Sequence, residues 1–191
     1  MFYFPVEYFL QVYSLPLLGQ VRFQKDYFSG YPEQIRVGSD AYDGLRLRTA
    51  VSYIRKSGYY AVHYNQPDTV VKGAILRLND GAIAVFSGEP NQSEQGILSP
   101  VYTLESNASL AVPTGLVFIR FAEGVDVESQ HEVINRAGYE VAERLSYAPH
   151  TAWLRAKSGN IVDAIAGIYR LEAIANVESV EPQMLMERSL R

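Results

Sequence analysis

The chain has 191 residues, 48% hydrophobic and 20% charged, which is ordinary for a soluble globular protein of one large or two small domains and too apolar for a disordered one. Seventeen Lys and Arg against 21 Asp and Glu leave a net charge of −4, so there is no cationic field to hold a phosphate backbone, and nucleic acid is not an expected partner. The absence of cysteine excludes disulfide frameworks, thiolate metal sites, iron–sulfur clusters and Cys nucleophiles, and leaves the redox compartment unreadable.

Thirteen of the first 18 residues, Met1 to Leu18, are apolar or aromatic. The first basic residue is Arg22, and Pro5, Glu7 and Pro16 interrupt the run, so it fits neither a secretory signal nor a membrane span. It reads as a strand or short helix packed on the first domain, the alternative being an element lying on a membrane surface. Cellular location is not readable from the chain.

From Leu45 to Tyr53, Leu45, Leu47, Thr49, Val51 and Tyr53 alternate with Arg46, Arg48, Ala50 and Ser52, the period of a half-buried strand. Lys56-Ser57-Gly58 then predicts a turn into Tyr59–Tyr64 and hence a hairpin. A second hairpin is predicted where Ala74–Leu78 and Ala82–Phe86 flank Asn79-Asp80-Gly81, residues that tolerate the left-handed backbone of a tight turn. Between Ser87 and Pro113 the density of Gly, Ser, Asn, Gln and Pro reads as loop and connector. Eleven of the 14 Tyr precede residue 115 and the clearest helical patterns follow it. A boundary is therefore placed near Ala111–Gly115, with a mainly antiparallel β domain over residues 1–110 and a second domain over 111–191.

In the second domain Val117–Phe121 reads as a strand, and Asp126 caps a helix that Gly138 stops. Tyr139–Leu145 and Thr151–Ala156 follow as strands. Ser158 is expected to cap a second helix carrying Ile161, Ala164, Ile165, Ile168 and Leu171 on one face, and Val177–Val180 is a last short strand before Pro182. The order βαββαβ predicts an α+β chain whose second domain is ferredoxin-like, with two helices over one face of a four-stranded sheet. By strand parity Val117, Ile119, Phe121, Ala152, Leu154 and Ala156 turn toward the helices, leaving Phe118, Arg120, Trp153 and Arg155 on the other face. An aromatic beside an Arg on an open face is the composition of an interface, unless Phe118 and Trp153 pack on the first domain.

No nucleophile elbow, zinc-binding HExxH, phosphate loop or dinucleotide fingerprint occurs. The three histidines, His63, His131 and His150, are scattered. Glu140 with Glu143, and Glu178 with Glu181, have the composition of an acid and base pair but also of a solvated strand face. No catalytic residue, metal site or cofactor is expected, and the chain does not read as an enzyme.

Val117-Phe118-Ile119-Arg120-Phe121, Ala137-Gly138-Tyr139-Glu140-Val141, Tyr147-Ala148-Pro149 before Trp153-Leu154-Arg155-Ala156, and above all Ile174-Ala175-Asn176-Val177-Glu178-Ser179-Val180-Glu181-Pro182 resemble the N-terminal propeptide of subtilisin-like serine proteases, the subtilases. The resemblance covers about residues 115–190. The catalytic domain's own motifs are absent, so it implies a pro-region alone, acting as intramolecular chaperone and inhibitor of a protease domain in cis or in trans. It further implies docking through Phe118, Arg120, Trp153 and Arg155, with the tail Glu181, Pro182, Gln183, Met184, Leu185 and Met186 lying along the active-site cleft. An extended tail suits a cleft because its backbone pairs while flexible apolar side chains fill pockets; a terminal helix is the tail's other reading. Family propeptides are usually exported and usually carry only this unit, whereas here more than a hundred residues precede it. The alternative function is a ferredoxin-like regulatory or assembly module that self-associates or binds a small ligand. Oligomeric state is not readable.

Overall fold

The computed structural model describes residues 27–38, 41–42, 47–48, 50–65, 72–90, 95–106 and 108–187. The expectation for Met1–Leu18 lies outside them, as do residues 45, 46 and 49 of the strand expected from Leu45. The chain enters through β1 (Gln34–Val37), a two-stranded ribbon of β2 (Ala41–Tyr42) and β3 (Leu47–Arg48), and the long β4 (Val51–His63).

β4 corrects the first expected hairpin. Lys56-Ser57-Gly58 does not reverse the chain: Gly58 takes a positive φ of 74° inside one continuous strand. The β4 pairing with β7 (Ile97–Leu104) is irregular there, jumping from Arg55↔Tyr102 to Tyr60↔Pro100. Extra residues on one strand make a bulge, and Gly is the residue that adopts its left-handed conformation without strain. Before the bulge β4 pairs with β1, after it with β6 (Ile83–Ser87), and on both sides of it with β7.

The second hairpin forms as its turn residues dictate. β5 (Leu76–Leu78) and β6 pair antiparallel, and Asn79, Asp80 and Gly81 all have positive φ, at 51°, 52° and 89°. The stretch expected as a connector contains β7, which lies between β4 and β8 (Leu110–Phe121). Pro100, which has no N–H to give a ladder, stands at the margin of the β4 irregularity, where a strand tolerates it.

β8 is the structural axis. Its first residues pair with β7 (Tyr102↔Ala111) and its later ones with β10 (Thr151–Ala156), which pairs in turn with β9 (Tyr139–Arg144). Along its other edge lies β11 (Val177–Met186), from Val177↔Phe121 to Met186↔Ala111. Among the described residues nine strands thus form a single antiparallel sheet, in the order β5-β6-β4-β7-β8-β10-β9, with β1 on β4 and β11 on β8. This corrects the expected α+β architecture of a β domain followed by a ferredoxin-like βαββαβ domain. Residues 111–115 lie inside β8, and β8 and β11 carry their pairing across them into the N-terminal strands. Strand dominates, and the α-helical segments, α1 (His131–Arg136), α2 (Ile161–Ala166) and α3 (Ile168–Glu172), are only 6, 6 and 5 residues long.

The helices cover one face of the sheet's C-terminal part. Val117, Ile119, Phe121, Ala152 and Leu154 pack there with Ile134, Ala164 and Leu171. Asp126 accepts a hydrogen bond from the Glu128 N–H, as a cap should, although the first turn it opens is 3-10 rather than α. The second helix begins later than expected: Asn160, not Ser158, stands at its N-cap position, while the Ser158 hydroxyl and the Asn160 amide both donate to the Asp163 carboxylate. These bonds favour the charged form and hold Asp163 below the ordinary carboxylate range. At Gly167 the helix breaks into α2 and α3; the Tyr139 hydroxyl occupies the space a side chain there would need and donates to the Ala164 carbonyl at 2.7 Å. Burial pushes the Tyr139 phenol up to about 12, which keeps it a donor.

Candidate functional site

On the face of β8 and β10 away from the helices, Trp153 lies directly opposite Phe118, and the two rings meet edge to face with centroids 5.3 Å apart. Antiparallel neighbours point the same way, so the row extends across four strands: Glu143 of β9 opposite Trp153, and Glu181 of β11 opposite Phe118. Phe118 and Trp153 are half-buried and belong to none of the apolar clusters formed among the described residues, while Glu143 and Glu181 are exposed.

Both arginines on this face are held by carboxylates. Arg155 Nε donates to Glu140 Oε1 at 2.6 Å. Arg120 Nε lies 3.2 Å from Glu178 Oε2 in an ion pair, but without the alignment of a hydrogen bond. The four candidates Phe118, Arg120, Trp153 and Arg155 therefore share one patch, with its aromatic centre paired and its cations oriented. The Ser179 hydroxyl donates to Glu181 at 2.9 Å, which also fixes that carboxylate.

The tail candidates lie elsewhere than in a free extension. Glu181, Pro182, Gln183, Met184, Leu185 and Met186 are all strand β11. Pairing breaks step between Pro182 and Met184, where the Thr114 hydroxyl lies 2.8 Å from Gln183 Oε1 and also accepts the Leu116 N–H. Beyond that step Leu185, opposite Val112, packs into a cluster with Val85, Val101 and Val112, whereas Met184 and Met186 pack on the other face with Ile35, Tyr102, Ile161 and Ile165. This docking was invisible in a sequence read as ending its strand before Pro182. Met-Leu-Met shows no alternation of apolar and polar, because both faces of the strand pack on apolar clusters and are partly buried.

Two further features lie in the N-terminal strands. His63 Nε2 lies 2.9 Å from Ser99 Oγ, and burial alone lowers the imidazole to about 4, so it is neutral at pH 7. Ser99 is fully buried, which denies this pair a substrate. An open cleft of about 320 Å³ is lined by Tyr27, Phe28, Lys56, Tyr59 and Pro90 among others, and Arg55 at its wall is committed to Glu33 and to the Phe28 carbonyl. Among the described residues no group of three or more His, Asp or Glu is placed to hold a metal ion, and no helix is long and apolar enough to cross a membrane.

No family model, no curated protein and no solved structure matches this chain.

Proposed function

We propose that the chain is the pro-region of a subtilisin-like serine protease, a folding template and inhibitor that docks on the protease domain through the face bearing Phe118, Arg120, Trp153 and Arg155. The observation that carries this reading is the Phe118–Trp153 pair, half-buried on the sheet face away from the helices beside two carboxylate-held arginines. Rigid aromatics and Arg are the residues that dominate binding energy at protein interfaces, because they bring large contact area at small cost in conformational entropy. The segment with the subtilase-like ending, Val177-Glu178-Ser179-Val180-Glu181-Pro182, lies beside that pair on β11.

In this reading the chain supplies no catalytic group and needs no cofactor; the nucleophile, base and oxyanion donors belong to the partner. The experiment is to dilute denatured subtilisin-like protease domains from a panel into buffer with and without the purified chain, and to follow recovered activity and then its inhibition. Faster recovery of folded protease together with slow, tight inhibition supports the reading. A chain that neither speeds refolding nor inhibits any member of the panel, and instead sediments as a self-associated species, favours an assembly module.

A further inference from the structure

The geometry points to Met184–Met186 as a releasable clasp: the N-terminal strands, with α2, hold the last residues of β11 in the sheet, and these open separately from the rest of that strand, with Gln183 as the break point. The inference rests on the proposed reading for its use, since it concerns regulation of the tail that would enter a protease cleft.

β11 is built in two parts. Val177–Pro182 pairs with Val117–Phe121, the half of β8 beside β10, and Met184–Met186 pairs with Ala111–Pro113, the half that joins β7. The register slips between the parts, so the pairing on either side of Gln183 does not depend on an unbroken ladder. The residues that receive the second part come from the N-terminal strands, from β8 and from α2: Val85 and Val101 with Val112 of β8 around Leu185, and Ile35 and Tyr102 with Ile161 and Ile165 of α2 beside Met184 and Met186. The first part is anchored in a different cluster, through Val177 and Val180.

A peptide in a protease cleft uses its backbone edges and its apolar side chains. Residues 184–186 already use one backbone edge, against β8, and their apolar side chains within the chain, so the sheet and the cleft compete for them. The affinity of the tail is then reduced by the fraction of time the clasp is open. This gives the N-terminal strands a role that the family resemblance leaves blank: they set how readily the tail is offered. The Thr114–Gln183 contact at 2.8 Å pins the break point.

The test weakens the receiving side and leaves the tail's own sequence intact. Val112→Ala removes part of the bed of Leu185, and Thr114→Val removes the contact to Gln183. Hydrogen exchange of the full chain is read by mass spectrometry at residues 184–186 and 177–180. The expected result for Val112→Ala is roughly tenfold faster exchange at 184–186, with 177–180 unchanged; Thr114→Val acts in the same direction by a few-fold. A change at both segments together, or at neither in both variants, overturns the clasp. Inhibition of a subtilisin-like protease is measured in parallel and is expected to tighten by the same factor as the exchange. Faster exchange with inhibition unchanged overturns the competition. Absence of inhibition in every form overturns the protease reading, while the exchange data still decide whether the clasp opens.

Discussion

Phe118 and Trp153 meet edge to face, 5.3 Å between ring centroids, across the two strands that carry the sheet's exposed C-terminal face. Each ring shields part of the other, so the pair stabilises the fold modestly. Trp153→Ala is expected to lower stability by about 1 kcal/mol and to weaken a complex made through this face by about 2 kcal/mol or more. Thermal melting and a binding titration measure the two losses separately, and a loss of stability with binding unchanged would show that the pair is merely structural.

The opposite face responds differently. Leu154 is fully buried beside Leu171 and Ile134, and Leu154→Ala leaves a cavity where no water is welcome. Its expected cost is about 2–5 kcal/mol, read as a shift in urea midpoint with little change in slope.

Acid weakens the N-terminal strands. The imidazole of His63 falls from an ordinary value of about 6.5 to about 4 in the folded chain, because burial disfavours its charged form. A lowered folded value means that the unfolded chain binds the proton more readily. The stability held by neutral His63 is therefore complete above about pH 6.5 and is lost as pH falls toward 4. Urea denaturation across that window is expected to show a loss of about 3 kcal/mol at most from this residue, and His63→Gln is expected to flatten that part of the profile.

Gly167 is required by its neighbours rather than by its backbone angle, since its φ is −89°. A Cβ there would stand 2.6 Å from the Tyr139 hydroxyl and 2.9 Å from the Asp163 carbonyl. Gly167→Ala is expected to cost about 1–3 kcal/mol by overpacking, and Tyr139→Phe to relieve part of that penalty while itself losing about 1 kcal/mol with its hydrogen bond. A double-mutant cycle in thermal denaturation measures the coupling.

What the sequence disclosed was local chemistry. Asn79-Asp80-Gly81 names its own turn, and the alternation in Val117–Phe121 and Thr151–Ala156 predicts which side chains turn inward. Gly58 was ambiguous, because a left-handed residue serves a bulge as well as a turn and only the strands beside β4 decide between them. β7 was hidden by the Gly, Ser and Pro around it and by Pro100 within it. The ferredoxin-like expectation failed on strand length. Nothing in Pro113-Thr114-Gly115 or Pro182-Gln183-Met184 says that β8 and β11 continue through these breaks, since that depends on a partner strand at each bend. That Phe118, Arg120, Trp153 and Arg155 share one face was legible because parity alone places them; the docking of Met184, Leu185 and Met186 was not, because it depends on contacts distant in sequence.

The most direct measurement uses the single tryptophan of the chain. Trp153 replaced biosynthetically by 5-fluorotryptophan gives one fluorine resonance, followed as active-site-blocked subtilisin-like protease domains are added. Docking through the Phe118–Trp153 face predicts that this resonance shifts or broadens in step with binding, and that Phe118→Ala abolishes the response. A resonance that stays sharp and unmoved while inhibition is independently observed would contradict the assignment of this face.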